Sequence, residues 1–317
     1  MTEPAPPCYR LPPLRLLGWI GRQGARAVAG LVVVGIALPP LGTLLRPHVT
    51  EAVFLLLVIS FARVDPVALR RHLRRPGLVL AATAWSALVV PLLYGLGLRL
   101  LAPEPGLAFG LMLQGIASPM MAAPALAMLM GLDATLVLIT LVGGTIAVPL
   151  TAPVFAWIFL GDALPLSPLV MGVKLGGMLL GSVVLAAALR RLAGPAAIAR
   201  HRDAVNGVNI LVLLVFVAAV MGDVAAQVLA DPWHVAAMAL LATAMFLALF
   251  ATTALLFWRA GRVPALSMAL MAAQRNMGLM LAATDGVMPG AAWLYFAMSQ
   301  FPIYWAPLLL RPLARRP

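Results

Sequence analysis

Apolar stretches of nearly bilayer length recur so often in this chain that a fold in water is closed to it. They lie at about 25–46, 49–64, 77–101, 104–131, 133–160, 166–190, 205–229, 233–258, 264–286 and 290–311, divided by arginines or by Pro/Gly breaks. A helix rises about 1.5 Å per residue, so about 20 residues match a hydrocarbon core ~30 Å thick. Only 10% of the 317 residues are charged and 63% are apolar, too little polar surface to clothe a soluble protein of this size. The expected class is an all-α polytopic membrane protein with ten transmembrane helices.

The arginines test that count. Lys174 is the only lysine among 22 basic residues, and the net charge is +12. Arg10, Arg15 and Arg22 precede the first span, and Arg63, Arg70, Arg71, Arg74 and Arg75 separate the second from the third. Arg190, Arg191, Arg200 and Arg202 follow the sixth, Arg259 and Arg262 the eighth, and Arg311, Arg315 and Arg316 the tenth. With ten spans all of these share one side, whereas the opposite connections carry mainly Arg46, Arg99, Glu104, Asp162, Asp231 and Asp285. The positive-inside rule then puts both termini in the cytoplasm, with tails at 1–24 and 312–317, and a bacterial inner membrane is the expected location. Basic residues that punctuate apolar runs mark topology and not a nucleic-acid groove, so the expected partner is lipid. The tail to Gly24 lacks an apolar run long enough for a signal peptide, and the lone Cys8 has no internal disulfide partner.

Five spans per half, 25–160 and 166–311, is an odd number, so repeats would have to be inverted in the membrane. The fourth span is interrupted near its centre by Gly115–Pro124 and the ninth by Gln274–Gly278. Each precedes a proline-bearing span, with Pro149 and Pro153 in the fifth and Pro302 and Pro307 in the tenth. Proline removes a backbone donor and crowds the preceding turn, so breaks at matching places in two halves point to a transport site.

One of those breaks holds a cation. Arg275, flanked by Gln274 and Asn276, lies about 13 residues beyond Arg262, roughly 20 Å along a helix and near the bilayer midplane. An arginine there costs roughly 3 kcal/mol on insertion scales, so it faces protein or water and marks a functional path. The plainer alternative is a structural arginine that caps carbonyls inside the bundle.

Three motifs resemble those of the bile acid:sodium symporter family: Gly115-Ile-Ala-Ser118, Val148-Pro-Leu-Thr-Ala-Pro153 and Gln274-Arg-Asn-Met-Gly-Leu279. With the topology, the likeness covers nearly the whole chain from about residue 25. It implies ten spans in two inverted five-helix repeats with broken fourth and ninth helices crossing at the site. It also implies a core domain of spans 3–5 and 8–10, a panel domain of spans 1, 2, 6 and 7, and a substrate cleft between them. The activity implied is secondary-active transport of a small organic anion by alternating access, by a monomer or homodimer. Gln114, Ser118, Gln274, Arg275, Asn276 and Gln300 are the expected substrate contacts.

The ion-site region departs from the family pattern. Ser118-Pro119 stands where the family has Ser-Asn, and Met271 stands where it has an acidic residue shared by both sodium sites. Sodium prefers oxygen ligands with compensating negative charge, whereas Arg275 adds a positive one. The expectation is altered or absent sodium coupling, no other cofactor, and a guanidinium that takes the place of the ion or binds an anionic group through its planar fork. The alternatives are a sodium- or proton-coupled symporter of the same fold, or a sensor or channel.

Thr140 and Thr145 fall where the resemblance puts sodium-ligating hydroxyls, although a threonine in a membrane helix ordinarily bonds its own preceding turn. Asn206 and Asn209 open the seventh span as expected caps. Lys174 is placed to snorkel outward or to pair with Asp223, and Asp285 to meet water. Trp85, Trp157, Trp233 and Trp258 suit an interfacial belt. An intramembrane enzyme is not expected: no H-E-x-x-H, paired membrane aspartates or serine elbow is present, and the four histidines lie far apart, so no metal site is expected.

Overall fold

A computed structural model describes residues 12–63 and 76–310. Among them every regular element is helical: α1 (Pro12–Ala37), α2 (Pro39–Leu45), α3 (Val49–Arg63), α4 (Pro76–Ala84), α5 (Val90–Leu101), α6 (Pro105–Ile116), α7 (Ala123–Met130) and α8 (Ala134–Leu160). The chain continues through α9 (Pro168–Ala193), α10 (Pro195–Arg200), α11 (Arg202–Met221), α12 (Val224–Ala230), α13 (Pro232–Leu256), α14 (Arg262–Ala273), α15 (Met277–Ala283) and α16 (Gly290–Leu309). Among the described residues, six helical stretches are long and apolar enough to cross a membrane: Pro39–Arg63, Pro76–Leu101, Ala134–Ala163, Pro168–Ala193, Arg202–Ala230 and Pro232–Leu256. The protein is an all-α membrane protein.

Several boundaries differ from the sequence reading. The first helix begins at Pro12, inside the stretch read as a tail, and ends at Ala37. Leu38, followed by two prolines, leaves the helical region (φ −122°, ψ 66°), so residues 39–45 join the second span and not the first. Asn206 and Asn209 sit inside α11, which starts earlier at Arg202, and so cap nothing. The spans expected at 104–131 and 264–286 are each two helices, α6 with α7 and α14 with α15. By contrast, α8 runs unbroken through Pro149 and Pro153. Arg70, Arg71, Arg74, Arg75, Arg311, Arg315 and Arg316 lie outside the described residues.

The chain divides into two compact units. The first takes the described residues up to Arg63 together with Leu180–Asp223. Its main contact is α1 along α11, and the helices touch backbone to backbone. A Cβ on Gly21 would lie 1.9 Å from the Asp203 carbonyl oxygen, and one on Gly207 would lie 2.1 Å from that of Leu17. One on Gly42 would meet the Gly222 Cα at 2.3 Å. Lipid tails are as apolar as leucine, so helices in a bilayer associate through such close packing and not by escaping water. Arg190 Nη1 donates to the Ala62 carbonyl (2.9 Å) and Arg63 Nη2 to that of Val205 (3.1 Å), tying in the C-terminal end of α3. Asp223 receives Arg46 at 2.8 Å, so the pairing with Lys174 suggested by the sequence does not form.

The second unit holds the described part of Val64–Leu179 and Val224–Pro317. Lys174 here bonds Asp285 and does not simply snorkel. Arg99 Nη2 donates to the Ile158 carbonyl (3.2 Å), with its guanidinium 5.0 Å from the Phe159 ring centre. Trp85, expected at an interface, is mid-span and buried, and its indole N–H donates to Thr253 Oγ1 at 2.9 Å. Trp157, Trp233 and Trp258 are exposed near helix ends.

Candidate functional site

Two interrupted helices meet in the second unit. Ser118 precedes a proline, which disfavours the helical region, and α6 stops at Ile116 with Ala117 extended (φ −62°, ψ 147°). On the other strand, Gln274 (φ −80°, ψ 88°) ends α14. Asn276 opens α15 as its cap, with Oδ1 accepting from the Leu279 N–H at 3.2 Å. The unwound segments then pair with each other. Met120 N donates to the Gln274 carbonyl (2.7 Å) and Asn276 N to the Ser118 carbonyl (2.8 Å), an antiparallel bridge between Pro119 and Arg275. Freed backbone groups inside a membrane must find partners, and here each break supplies the other's.

Arg275 is 1% exposed. Its Nη1 donates to the Ala117 carbonyl (2.7 Å), to Ser86 Oγ (3.1 Å) and to the Ser86 carbonyl (3.3 Å), and Nη2 donates to that same carbonyl at 3.3 Å. Ala117 follows the last turn of α6, where carbonyl dipoles converge and a cation is favoured. The Ser86 carbonyl is free for a covalent reason. Residues Trp85–Val89 form a π turn in which the Val90 N–H bonds Trp85, and the next residue, Pro91, has no N–H to give. The guanidinium takes the vacant place. No described carboxylate forms an ion pair with it.

The remaining expected residues separate into three groups. Gln274, Ser118 and Pro119 belong to the bridge itself, and Gln274 also donates through Nε2 to the Ile303 carbonyl of α16 (2.9 Å). Gln114 lies one turn back along α6, where its Oε1 accepts from the hydroxyls of Tyr94 (3.4 Å) and Tyr295. Gly115 lets Tyr94 lie this close, since a Cβ there would be 2.7 Å from the tyrosine. Met271 is buried in the last turn of α14. The others are held elsewhere. Thr140 Oγ1 donates to the Leu136 carbonyl (2.8 Å), the self-bonding usual for membrane threonines. Gln300 Nε2 bonds Phe296 O (3.2 Å) and Ser299 Oγ (3.3 Å) on its own helix.

Among the described residues of the second unit, four buried side-chain polar atoms have no hydrogen-bond partner: Arg275 Nε, Gln274 Oε1, Thr145 Oγ1 and Tyr304 Oη. Two of them belong to adjacent residues of the bridge, so part of the crossover's hydrogen-bonding capacity is unspent. Sequence reasoning passed over Ser86, Tyr94, Ala117 and Tyr295. Pro91 was the available signal for Ser86, because a proline inside a membrane helix always leaves an upstream carbonyl without its donor. Ala117 contributes only backbone and carries no side-chain signal.

No family model matches the chain. No curated protein is significantly similar to it either. Among the described residues no group of His, Cys, Asp or Glu is arranged to hold a metal. The fixed charge at the crossover is a side chain.

Proposed function

We propose that this protein is a secondary-active carrier of a small organic anion, built as ten spans in two inverted repeats like the bile acid:sodium symporter family. The observation that carries the reading is the bridge between Pro119 and Arg275, with the guanidinium enclosed by the Ser86 and Ala117 oxygens. Crossing of two broken helices at mid-membrane is how carriers expose backbone polarity to a substrate without exposing it to lipid. The grouping of α1–α3, the second half of α9 and α11 in one unit, with the other spans in the second, supports the panel and core division that the resemblance implies.

Arg275 does in this reading what a bound cation does in a coupled carrier. Oxygen ligands surround it, it polarises the crossover, and it leaves with no ion gradient. A second cation beside it would be repelled in a low-dielectric setting, so transport is uncoupled from sodium. An anion arriving at the crossover meets net positive charge, with Arg275 Nε as an unspent donor.

Uptake of radiolabelled organic anions into proteoliposomes tests this. The expected result is saturable, counterflow-stimulated uptake that is unchanged when sodium is replaced by potassium and is abolished in R275Q. Flux that does not saturate would make the protein a channel, binding without flux would make it a sensor, and strict sodium dependence would overturn the role given to Arg275.

A further inference from the structure

The second unit has a groove of about 320 Å³ walled by α5 with the π turn, by α6 and by α13. Trp85, Leu93, Gly97 and Leu101 form one side, Leu107 contributes from α6, and Ala248 comes from α13 opposite. No charged residue lines it. From Trp85 to Leu101 is 16 residues of helix, about 24 Å at 1.5 Å per residue, which exceeds half of a ~30 Å hydrocarbon core. The groove is therefore long, and it runs along α5 from the π turn to Pro103, beside Glu104. It opens sideways: Leu93 is 49% exposed and Leu101 80%, and Ala248 is exposed on the facing wall.

We propose that this groove is a binding site for one acyl chain of a membrane phospholipid, inserted laterally from the bilayer. Shape and chemistry both select such an occupant. An uncharged slot lying along the membrane normal and open toward lipid matches a chain whose other end stays at the interface, whereas a compact organic anion would leave its charge in an apolar channel. Gly97 makes the room, since a Cβ built there meets nothing within 4 Å. Binding rests on packing against the groove walls and not on escape from water, because the bilayer is equally apolar. The inner end of the chain lies against Trp85, the residue before the Ser86 oxygens that hold Arg275, and its middle passes Tyr94, which bonds Gln114. The site stands whether or not the protein is a carrier.

The test uses the full chain in mild detergent with Trp85 as its only tryptophan, the other six replaced by phenylalanine. Phospholipid with a brominated acyl chain is titrated in while Trp85 fluorescence is followed. The expected curve saturates, and its half-saturation rises about tenfold in G97F, which fills the groove from one wall, and in A248F, which fills it from the other. G30F, placed on an α1 position where a Cβ likewise meets nothing within 4 Å, leaves the curve unchanged. Thermal unfolding of each variant confirms that it is folded. Quenching that rises without saturating, equal curves for wild type and both groove variants, or an equally tight curve with a brominated free fatty acid would overturn the proposal.

Discussion

The two units hold their helices together by opposite means. In the first, α1 and α11 are unbroken along their contact, so their backbone groups are already paired within each helix. Attraction between them depends on close approach, and glycine at 21 and 207 permits it. In the second, α6 and α14 each stop after 12 residues, and the chain unwinds before α7 and α15 begin. Their loose backbone ends are satisfied by each other and by Arg275. An intact helix in lipid has only surface to offer a neighbour, whereas a broken one has hydrogen bonds to offer and cannot leave them unmade. The first kind of contact is sensitive to a methyl group and the second to the loss of a donor.

That contrast can be broken first at the glycines. Gly207→Ala puts a Cβ 2.1 Å from a backbone oxygen that has no flexible side chain to yield, and the expected loss is about 3 kcal/mol or more. Thermal unfolding in detergent checks it, and a variant as stable as wild type would mean that α1 and α11 are not held by backbone contact. Next comes R275Q, which strips the donor from two buried carbonyls and should cost about 2–3 kcal/mol. Adding Pro91→Ala restores an N–H beside the Ser86 carbonyl, so the double variant should recover part of the R275Q loss. A double-mutant cycle with no coupling would show that Arg275 does not fill the place left by the proline.

Smaller effects sharpen the comparison. Asn276→Ala removes the cap of α15 and should cost about 1 kcal/mol, read by the same melts. Lys174→Gln breaks the pair with Asp285, but Asp285 is exposed and the Lys174 side chain is 32% exposed, and a solvent-accessible pair contributes roughly 0–1 kcal/mol. If that last variant proved more damaging than Asn276→Ala, the ion pair would outweigh the cap of α15 as a polar tie of the second unit.

The sites of interruption were legible because prolines and a buried charge are covalent facts. Ser118-Pro119 and Gln274-Arg275-Asn276 announced breaks, and the structure has them at 117–122 and 274–276. Arg275 announced itself by its cost in a membrane. The partners it found were less readable: Ala117 offers only a carbonyl, and Ser86 is 189 residues away in the chain. The boundary at Leu38 was misplaced because apolar residues continue across it, and hydropathy does not register a turn made by backbone angles alone. Trp85 was misassigned because an indole near a span end and an indole buried against another helix have the same sequence signature.

By itself the sequence determined that this chain is a helical membrane protein, where two of its helices are interrupted, and that a cation lies within one of those breaks. Those properties follow from local composition, which the solvent reads residue by residue. Only the tertiary structure decided that the two breaks pair with each other, that the guanidinium turns toward carbonyls of α6 and the π turn and not toward a carboxylate, and that Lys174 takes Asp285 as its partner. Each of these is a choice among distant partners, made by which helices pack together and which of their freed polar groups then fall within hydrogen-bonding reach.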